Sequence, residues 1–437
     1  WDNDGDDDLI CGNASGYIEF FENLSGRGVD PPKWNAPKRL EADGKVFRIM
    51  AGPNGSIQGP IESKWGYTTL TVGDWDGDDL PDIVANSIWG KVFWLRNIGT
   101  KTVPKLAAPQ PVEVEWNGEQ PRLAYGWLCP EGKGLLTQWR TTPVMFDWNN
   151  DGLMDLSMLD HEGFLAFFER KKIDNKLILL PPKRVFVDEN GQPFQLNAGK
   201  SGRSGRRKIC FTDYDGDGAV DFFVNSTNAD AFRQIKHENG LWTFRNMKQI
   251  DVRNIRGHST SPTVVDFDNN KIPDILIGAE DGYFYYKKNP RSSGAENPWH
   301  RKPMNYETVS FSVQGEDCVV LEFKNDAVAF SNRNYVWKDI PLQYQSSKAT
   351  PVFFTQTRGG ENPTINVTVK KETILFLLTG PKELEPLGDW KLVQKDALYY
   401  TDGGKTKMSI YSKPMKTGEK ISVPQSQWTG CILLLKE

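Results

Sequence analysis

The sequence predicts an all-β protein, with a β-propeller followed by a β-sandwich, and three observations support this prediction. A loop rich in aspartate recurs five times before residue 300. Each copy is followed directly by a short apolar segment of the length of a strand, such as "IVANS" or "FFVNS". Beyond residue 300 the loops stop, and segments such as "INVTVKK" and "KMSIYSK" alternate between apolar and polar residues, as strands with one buried face do.

The acidic loops predict calcium sites. In "DWDGDDLPD", residues 74–82, carboxylates recur at every second position. At close range they repel one another unless a cation lies among them, and D-x-D-x-D is the spacing with which calcium loops surround one ion. The predicted ligands of the five loops are Asp2, Asp4, Asp8, Asp74, Asp76, Asp78, Asp82, Asp147, Asn149, Asp151, Asp155, Asp213, Asp215, Asp217, Asp221, Asp266, Asp268, Asn270 and Asp274.

The spacing of the loops predicts the blades of the propeller. Leading aspartates at positions 74, 147, 213 and 266 leave room for a four-stranded blade of about 40–50 residues plus insertions. The predicted fold therefore contains at least five blades. Because the first loop begins at Trp1 without a preceding inner strand, we expect N-terminal blades to be missing and the full ring to have about seven or eight.

The change of pattern near residue 300 predicts two domains, with a propeller over 1–300 and a β-sandwich over 301–437. The strand pattern of the second domain is similar to that of the accessory modules that accompany many glycan enzymes. A purely structural role, bracing the ring, explains the same pattern. No run of about 18 apolar residues exists, so we expect no membrane span.

The repeats resemble the FG-GAP or VCBS-repeat β-propellers, a family that includes the propeller of integrin α-subunits and the family 11 rhamnogalacturonan lyases. The resemblance rests on the five acidic loops and covers roughly residues 1–300. Blocks such as "NSIWGKVFWLRNIG" and "GRSGRRKICFTDYDGDG" also look like bacterial VCBS-repeat proteins linked to polysaccharide breakdown. The resemblance implies the propeller fold, whereas this repeat serves adhesion, carbohydrate binding and catalysis alike.

The end of the propeller opposite the acidic loops is predicted to hold the functional site. Residues before each inner strand and after each second strand meet there, and they bring together basic and aromatic side chains that suit an anionic sugar. For a polysaccharide lyase, His161 or His258 would be the base, Tyr67 the acid, and Arg140 or Arg206 the group that neutralises a uronate. The predicted substrate-binding residues are Trp65, Trp89, Trp139, Arg206, Arg207, Asp160 and Glu162.

Other interpretations stay open at this stage. A glycoside hydrolase needs two carboxyl groups, for which Asp160 and Glu162 are available. A non-catalytic glycan-binding or adhesion propeller, or a scaffold in a larger assembly, requires no catalytic residue. The arginines are equally suited to pairing with acids of neighbouring blades, and "DHEG" to forming a polar turn.

The expected partner is a polysaccharide or oligosaccharide, and nucleic acid is not expected. "SGRSGRRK" is a single basic patch in a chain with a net charge of −4. Calcium loops of modest affinity favour a calcium-rich compartment, so the expected location is secreted, periplasmic or at the cell surface.

Overall fold

A computed structural model describes most of the chain as two compact units, Trp1–Asn297 and Pro298–Glu437. The described residues are 1–29, 31–53, 59–123, 131–198, 205–251, 254–255, 260–293, 303–316, 318–320, 323–330, 333–345, 352–355, 364–380, 389–424 and 431–435. Within these ranges the regular structure is β-strand, apart from short 3₁₀ helices at Gly59–Glu62, Pro290–Ser293 and Leu342–Tyr344. The protein is therefore all-β, as predicted. No helix in these ranges has the length and apolar character needed to cross a membrane.

The first unit consists of antiparallel sheets whose strands follow one another along the chain. Its strands are β1 (Leu9–Gly12), β2 (Ile18–Phe21), β3 (Lys38–Arg39), β4 (Glu41–Ala42), β5 (Lys45–Val46), β6 (Thr69–Gly73), β7 (Asp82–Asn86), β8 (Phe93–Leu95), β9 (Gln110–Pro111), β10 (Val144–Phe146), β11 (Asp155–Leu159), β12 (Leu165–Phe168), β13 (Arg170–Ile173), β14 (Lys176–Leu179), β15 (Phe186–Val187), β16 (Ile209–Thr212), β17 (Asp221–Asn225), β18 (Ala229–Glu238), β19 (Leu241–Gln249), β20 (Thr260–Val265), β21 (Asp274–Ala279) and β22 (Phe284–Lys287).

Each acidic loop joins the first two strands of one sheet, except that the first loop directly precedes β1. We number the five sheets by their place in the chain: β1–β3, β6–β9, β10–β12, β16–β19 with β15 added in parallel, and β20–β22. The first strands of successive sheets lie beside one another, with β1 next to β6, β6 next to β10, β10 next to β16, and β16 next to β20. Neighbouring first strands in chain order are the arrangement of blades around a propeller axis.

The first sheet also contacts the fifth. The ring of Phe21 in β2 packs edge-on against Phe284 in β22 with centroids 6.0 Å apart. Arg27 lies 4.0 Å from the carboxylate of Asp266 in the fifth acidic loop. These contacts join the two ends of the row of five sheets, which differs from the expected ring with further blades between them.

The aromatic residue after each leading aspartate packs into the space between two sheets. Trp75 is 6% exposed and belongs to a core with Met145 and Leu156 of the third sheet. Trp148 packs at 4.9 Å against both Phe186 and Phe211 of the fourth sheet. Burying such large rings contributes roughly 2–3 kcal/mol each, so these tryptophans hold adjacent sheets together.

The last aspartate of each loop begins the next strand and is a buried hydrogen-bond acceptor. Asp82 is fully buried, and its carboxylate accepts the backbone N–H groups of Trp75 at 3.2 Å and Asn97 at 2.6 Å. Asp155 accepts the same pair of hydrogen bonds, from the backbone N–H groups of Trp148 and Arg170. Asp221 accepts them from Tyr214 and Gln234. Asp8 and Asp274 accept the N–H groups of Asn23 and Asn289. One side chain thus fixes both the loop and the end of the following hairpin.

The second unit contains a four-stranded and an eight-stranded sheet. Its strands are β23 (Pro303–Glu307), β24 (Phe311–Glu316), β25 (Cys318–Val320), β26 (Val328–Phe330), β27 (Arg333–Lys338), β28 (Val352–Thr355), β29 (Thr364–Val369), β30 (Thr373–Thr379), β31 (Lys391–Tyr400), β32 (Lys407–Met415), β33 (Lys420–Pro424) and β34 (Cys431–Leu435).

Both sheets of the second unit contribute to one core. The smaller sheet has the order β23-β24-β29-β33, and the larger has the order β25-β28-β34-β30-β32-β31-β27-β26. Phe311 and Val367 of the smaller sheet pack with Leu377 and Leu433 of the larger. A second buried cluster, around Trp337 and Tyr400, is built mainly from side chains of the larger sheet. This packing of two sheets face to face is the arrangement of a β-sandwich.

We predict that Asp82→Ala lowers the free energy of unfolding by about 2–4 kcal/mol, because two buried N–H groups lose their acceptor. Urea unfolding followed by tryptophan fluorescence measures the loss. Glu113→Ala is the control, since Glu113 is exposed and its removal is expected to change stability by no more than about 0.5 kcal/mol. Equal stability of the two variants would contradict the bracing role of Asp82.

Candidate functional site

Three residues hold the same unusual backbone conformation at the end of the sheets opposite the acidic loops. Tyr67, Arg140 and Arg206 each stand seven positions before the leading aspartate of their loop. Their φ angles are +48°, +61° and +43°, in the left-handed region that non-glycine residues rarely adopt. The corresponding residue of the fifth sheet lies outside the described residues. The first strand separates this position from its acidic loop by about 20 Å of extended chain.

Hydrogen bonds to the preceding sheet fix these turns. The N–H of Tyr67 donates to the carbonyl oxygen of Ala14 at 3.1 Å, and that of Arg140 donates to the carbonyl oxygen of Ser87 at 3.0 Å. The side-chain amide of Asn86 donates to carbonyl oxygens on both sides of Arg140. The turns are therefore held by neighbouring blades, which offsets the backbone strain.

A buried ion pair lies at the centre of this region. Arg140 is 4% exposed and donates to the carboxylate of Glu62 at 3.2 Å, and Glu62 is itself 5% exposed. The hydroxyl of Tyr67 donates to the same carboxylate oxygen at 2.7 Å. The guanidinium carbon of Arg140 lies 3.1 Å from the centroid of the Tyr67 ring, a cation–π contact. Glu62 comes from a 3₁₀ helix between two sheets and was not among the residues predicted from the sequence.

The local environment shifts the pKa values of this trio. Burial lowers the pKa of Arg140, and the carboxylate of Glu62 opposes that change. Burial together with the hydrogen bond to Glu62 raises the pKa of Tyr67, so its phenol stays protonated at neutral pH.

Lys208 and Arg206 bring two more cations to the same place. The ammonium of Lys208 donates to the carbonyl oxygen of Arg140 at 3.2 Å. Burial, with Arg140 and Arg206 nearby, lowers the pKa of Lys208 to about 8, and Glu280 acts in the opposite direction. Arg206 is exposed. We call Glu62, Tyr67, Arg140, Arg206 and Lys208 the central cluster.

The three predicted tryptophans differ in accessibility. Trp65 is 42% exposed and stacks on Tyr67 with ring centroids 5.8 Å apart and an interplanar angle of 18°. Trp89 is half-buried and donates its indole N–H to the carbonyl oxygen of Met50 at 3.1 Å. Trp139 is 1% exposed and packs with Ala51 and Ile88, so the expectation that it binds substrate is corrected. Its ring supports the guanidinium of Arg140 at 4.4 Å instead.

The residues predicted around His161 form a separate turn of the third sheet. Asp160 is buried and accepts hydrogen bonds from the backbone of Glu162 and Phe164 and from Arg184. Asp160 is thus a structural acceptor and not an accessible substrate ligand, because its oxygens are already occupied. Glu162 also pairs with Arg184, which lowers the pKa of Glu162.

His161 is half-buried and lies 4.0 Å from the carboxylate of Glu162. It borders a small pocket whose other walls are mainly apolar, among them Trp116, Leu136 and Phe168. Among the described residues, no hydrogen bond or ion pair joins His161 to Arg140. The predicted pairing of this base with this neutralising arginine therefore stays a prediction.

Arg207 and His258 are the two remaining residues that the sequence predicted for the site. Arg207 donates to the carbonyl oxygen of Leu196 at 2.7 Å, and burial lowers its pKa while Asp230 opposes the shift. The hydrogen bond from Arg207 to Leu196 is a structural contact between two segments of the first unit. His258 falls outside the described residues.

The acidic loops fold around their own leading aspartates. The carboxylate of Asp74 accepts the backbone N–H groups of Gly77, Asp78 and Asp79 at 2.7–3.1 Å. Asp147, Asp213 and Asp266 accept loop N–H groups in the same manner. The third member of each motif, such as Asp78 or Asp217, accepts the N–H two residues further on. These bonds give each loop its turn and leave the other lone pairs of the carboxylates facing inward.

Two loops bring three carboxylates close enough to share one ion. Single oxygens of Asp74, Asp76 and Asp78 lie within 4.8 Å of one another, and so do those of Asp213, Asp215 and Asp221. The second carboxylate of three loops also carries a buried oxygen with no hydrogen-bond partner in the structure, namely Oδ1 of Asp2, Asp76 and Asp268. An unpartnered buried carboxylate oxygen is costly, which is consistent with a cation as its partner.

Basic side chains from the same sheets approach these carboxylates as well. Arg96 lies 2.7 Å from Asp76 and 3.2 Å from Asp78, and Arg233 makes the equivalent pairs with Asp215 and Asp217. Lys288 pairs with Asp268 at 2.6 Å. Even so, burial raises the pKa of Asp82 and Asp155 to about 6 and that of Asp221 to about 8. Burial is the main cause of these shifts, so the charged form of these carboxylates is unfavourable even with the internal cations nearby.

Comparison with known proteins identifies the repeat. Residues 213–277, from the fourth acidic loop into β21, match the FG-GAP-like repeat. The FG-GAP repeat predicted from the sequence is confirmed. The FG-GAP match runs from the fourth acidic loop through β17–β20 and the fifth acidic loop into β21, so it covers one structural repeat of this chain and the start of the next.

Other comparisons are weak. A search of curated proteins found no match. Two solved structures of a fructofuranosidase from Schwanniomyces occidentalis, complexed with fructose and with fructosyl-erythritol, are 9% identical to this chain. They align over 95% and 97% of it, and over 78% and 79% of their own lengths, with TM-scores of 0.19. At that score the likeness supports no conclusion about fold or substrate.

We predict that Glu62→Ala lowers the free energy of unfolding by about 3–5 kcal/mol, because it leaves Arg140 buried without its counter-charge. The matched control is Glu131→Ala, which removes the partner of Lys91 from an exposed pair and is expected to cost at most about 1 kcal/mol. Denaturant unfolding of both variants measures the difference. A Glu62 variant as stable as the Glu131 variant would show that the buried pair does not hold the central cluster together.

Proposed function

We propose that the first unit is a five-bladed β-propeller whose acidic loops bind divalent cations, calcium by preference. The contact of the first sheet with the fifth supports five blades. The grouped oxygens of Asp74, Asp76 and Asp78 and the buried unpartnered oxygens support the cation sites. A ligand set made only of carboxylates, amides and backbone oxygens suits a hard cation. Bound calcium would neutralise the loops and stiffen the end of each blade.

Calcium is expected to raise the thermal midpoint of protein that has been treated with a chelator, because a site at 100 times its dissociation constant adds about 2.7 kcal/mol to the free energy of unfolding. Titration calorimetry then counts the ions. Asp76→Asn is expected to remove one ion per chain, whereas Asp79→Asn is the control from the same loop, since Asp79 is exposed and is not a predicted ligand. No calcium response in the unmodified protein would exclude these sites.

We further propose that the protein acts on acidic, uronate-containing polysaccharide at the central cluster. The observation that carries this proposal is the concentration of Arg206 and Lys208 around Arg140, which stacks on Tyr67, at the end of the sheets where no acidic loop lies. Guanidinium groups bind carboxylates in bidentate fashion. The exposed ring of Trp65 beside Tyr67 offers a surface on which a sugar can stack.

The favoured reaction is β-elimination by a polysaccharide lyase. Such a reaction needs a cation on the uronate carboxylate, a base for the C5 proton and an acid for the leaving oxygen. Arg206 is exposed and is suited to binding the carboxylate of the uronate. The buried Arg140 lies near it and adds positive charge. Hydrolysis by a pair of carboxylates is less favoured, because Asp160 is buried and Glu62 already holds Arg140.

A non-catalytic glycan-binding propeller is the second candidate. The engagement of Arg140 by Glu62, with Tyr67 also bonded to Glu62, favours a rigid binding surface as much as a reactive one. Under either function the need for calcium and for an extracellular glycan suggests a secreted, periplasmic or surface protein. The second unit would then be an accessory domain of the same glycan-directed protein.

Incubation with a panel of uronate-containing glycans tests the proposal. We expect the ultraviolet absorbance of an unsaturated uronate to appear, and no product from a neutral glucan. Arg206→Ala is expected to weaken binding of the acidic glycan about tenfold to hundredfold, which corresponds to the loss of charged hydrogen bonds. Arg122→Ala is the control, because Arg122 is exposed and lies outside the central cluster.

The other outcomes separate the candidates. Reducing ends released without that absorbance would indicate hydrolysis. Binding of the acidic glycans without any product would establish the non-catalytic function. Failure to bind any acidic glycan would contradict both.

A further inference from the structure

We propose that Lys208 is the proton acceptor of the central cluster and Tyr67 its proton donor, in place of the histidines that the sequence suggested. The proposal rests on the proposed β-elimination. It assigns the two proton-transfer roles to side chains that lie on either side of Arg140.

The position of Lys208 in the repeat is the first observation. Lys208 stands five residues before its leading aspartate, where the other sheets have Thr69, Thr142 and Ser261. Thr69 shows what a small hydroxyl does there, since it donates to the carbonyl oxygen of Thr141 at 2.6 Å. The fold is thus satisfied by a short side chain, whereas a lysine in the fourth sheet brings an ammonium into a crowded region. A half-buried cation that the fold does not require points to a functional role.

The surroundings of Lys208 are the second observation. The backbone is held rigidly, because the N–H and C=O of Lys208 bond with Asn225 at 2.9 and 3.0 Å. The charged groups facing its ammonium are Arg140 and Arg206, with Glu280 opposing them. Two guanidinium groups and one carboxylate leave an excess of positive charge, which favours the neutral amine. The pKa of about 8 follows from this and from burial, and it places a usable base near neutral pH.

Tyr67 has the complementary property. Its hydroxyl is bonded to Glu62, and its pKa is raised, so it carries a proton at the pH at which Lys208 begins to lose one. The neutral amine of Lys208 would take the C5 proton of the uronate, and the C–H electrons would form the C4–C5 double bond. The C4–O bond would break, and its oxygen would take the proton of Tyr67. The exposed Arg206 would hold the carboxylate on which negative charge develops.

The test compares Lys208→Met and Lys208→Arg with Lys176→Met, an exposed lysine of the β13–β14 hairpin. Arginine keeps the positive charge but cannot act as a base at neutral pH. We expect both Lys208 variants to lose kcat by about 10²-fold or more, with the KM of Lys208→Arg little changed, and Lys176→Met to match the unmodified protein. For the unmodified protein, kcat/KM should rise with pH and level off above about pH 8, as the lysine is deprotonated.

A second measurement does not depend on turnover. After reductive methylation with ¹³C-formaldehyde, NMR should show one lysine that titrates near pH 8 and is absent from Lys208→Met. Full kcat in Lys208→Arg, or titration of that lysine above pH 10, would overturn the assignment of Lys208. An unmodified protein that yields no unsaturated product would overturn the proposed lyase function itself, and the two failures are thus distinguishable.

Discussion

The buried carboxylate at the start of each second strand is the interaction on which the first unit depends. A strand that begins with aspartate normally exposes that group, yet Asp82, Asp155, Asp221 and Asp274 are fully buried. Each is retained because it accepts a backbone N–H from a residue 13–15 positions further along the chain, and three of them also accept one from the aromatic residue of the loop. The carboxylate therefore closes the hairpin and places an aromatic ring between two sheets. Loop, strand pairing and packing between sheets are thereby fixed by one side chain per repeat.

The buried carboxylates and the acidic loops around them also concentrate negative charge at one end of the first unit. Burial, with the neighbouring carboxylates adding to its effect, raises the pKa of Asp82, Asp155 and Asp221, so the charged form of these groups is unfavourable in the folded state. Arg96, Arg233 and Lys288 offset part of the negative charge from within the sheets. With the acidic loops at one end, the far end of the first strands gathers Arg140, Arg206 and Lys208, of which Arg140 is paired with Glu62.

The regular part of the fold could be predicted because it repeats, whereas the site depends on parts of the chain that do not. Aspartate spacing and the strands after it indicated the acidic loops and the FG-GAP repeat, and the common offset of Tyr67, Arg140 and Arg206 placed them at one end. Glu62 was missed because it comes from a 3₁₀ helix in an insertion that has no counterpart in the described parts of the other repeats. Trp139 was misjudged because a tryptophan next to an arginine in a turn gives no sign of which ring is buried. Asp160 was misjudged because its partner, Arg184, lies 24 residues away.

The backbone of the central cluster gives an independent reason to regard its side chains as functional. Tyr67, Arg140 and Arg206 occupy a left-handed conformation in which glycine would avoid the steric cost, and Gly66 and Gly205 immediately precede two of them. Three equivalent turns nevertheless carry large polar side chains at this point. The neighbouring sheets hold two of these turns with hydrogen bonds to the N–H groups of Tyr67 and Arg140, so the strain is compensated locally. A fold that only needed the turn would be more stable with glycine, so the retained side chains support the proposal that this end of the sheets binds a ligand.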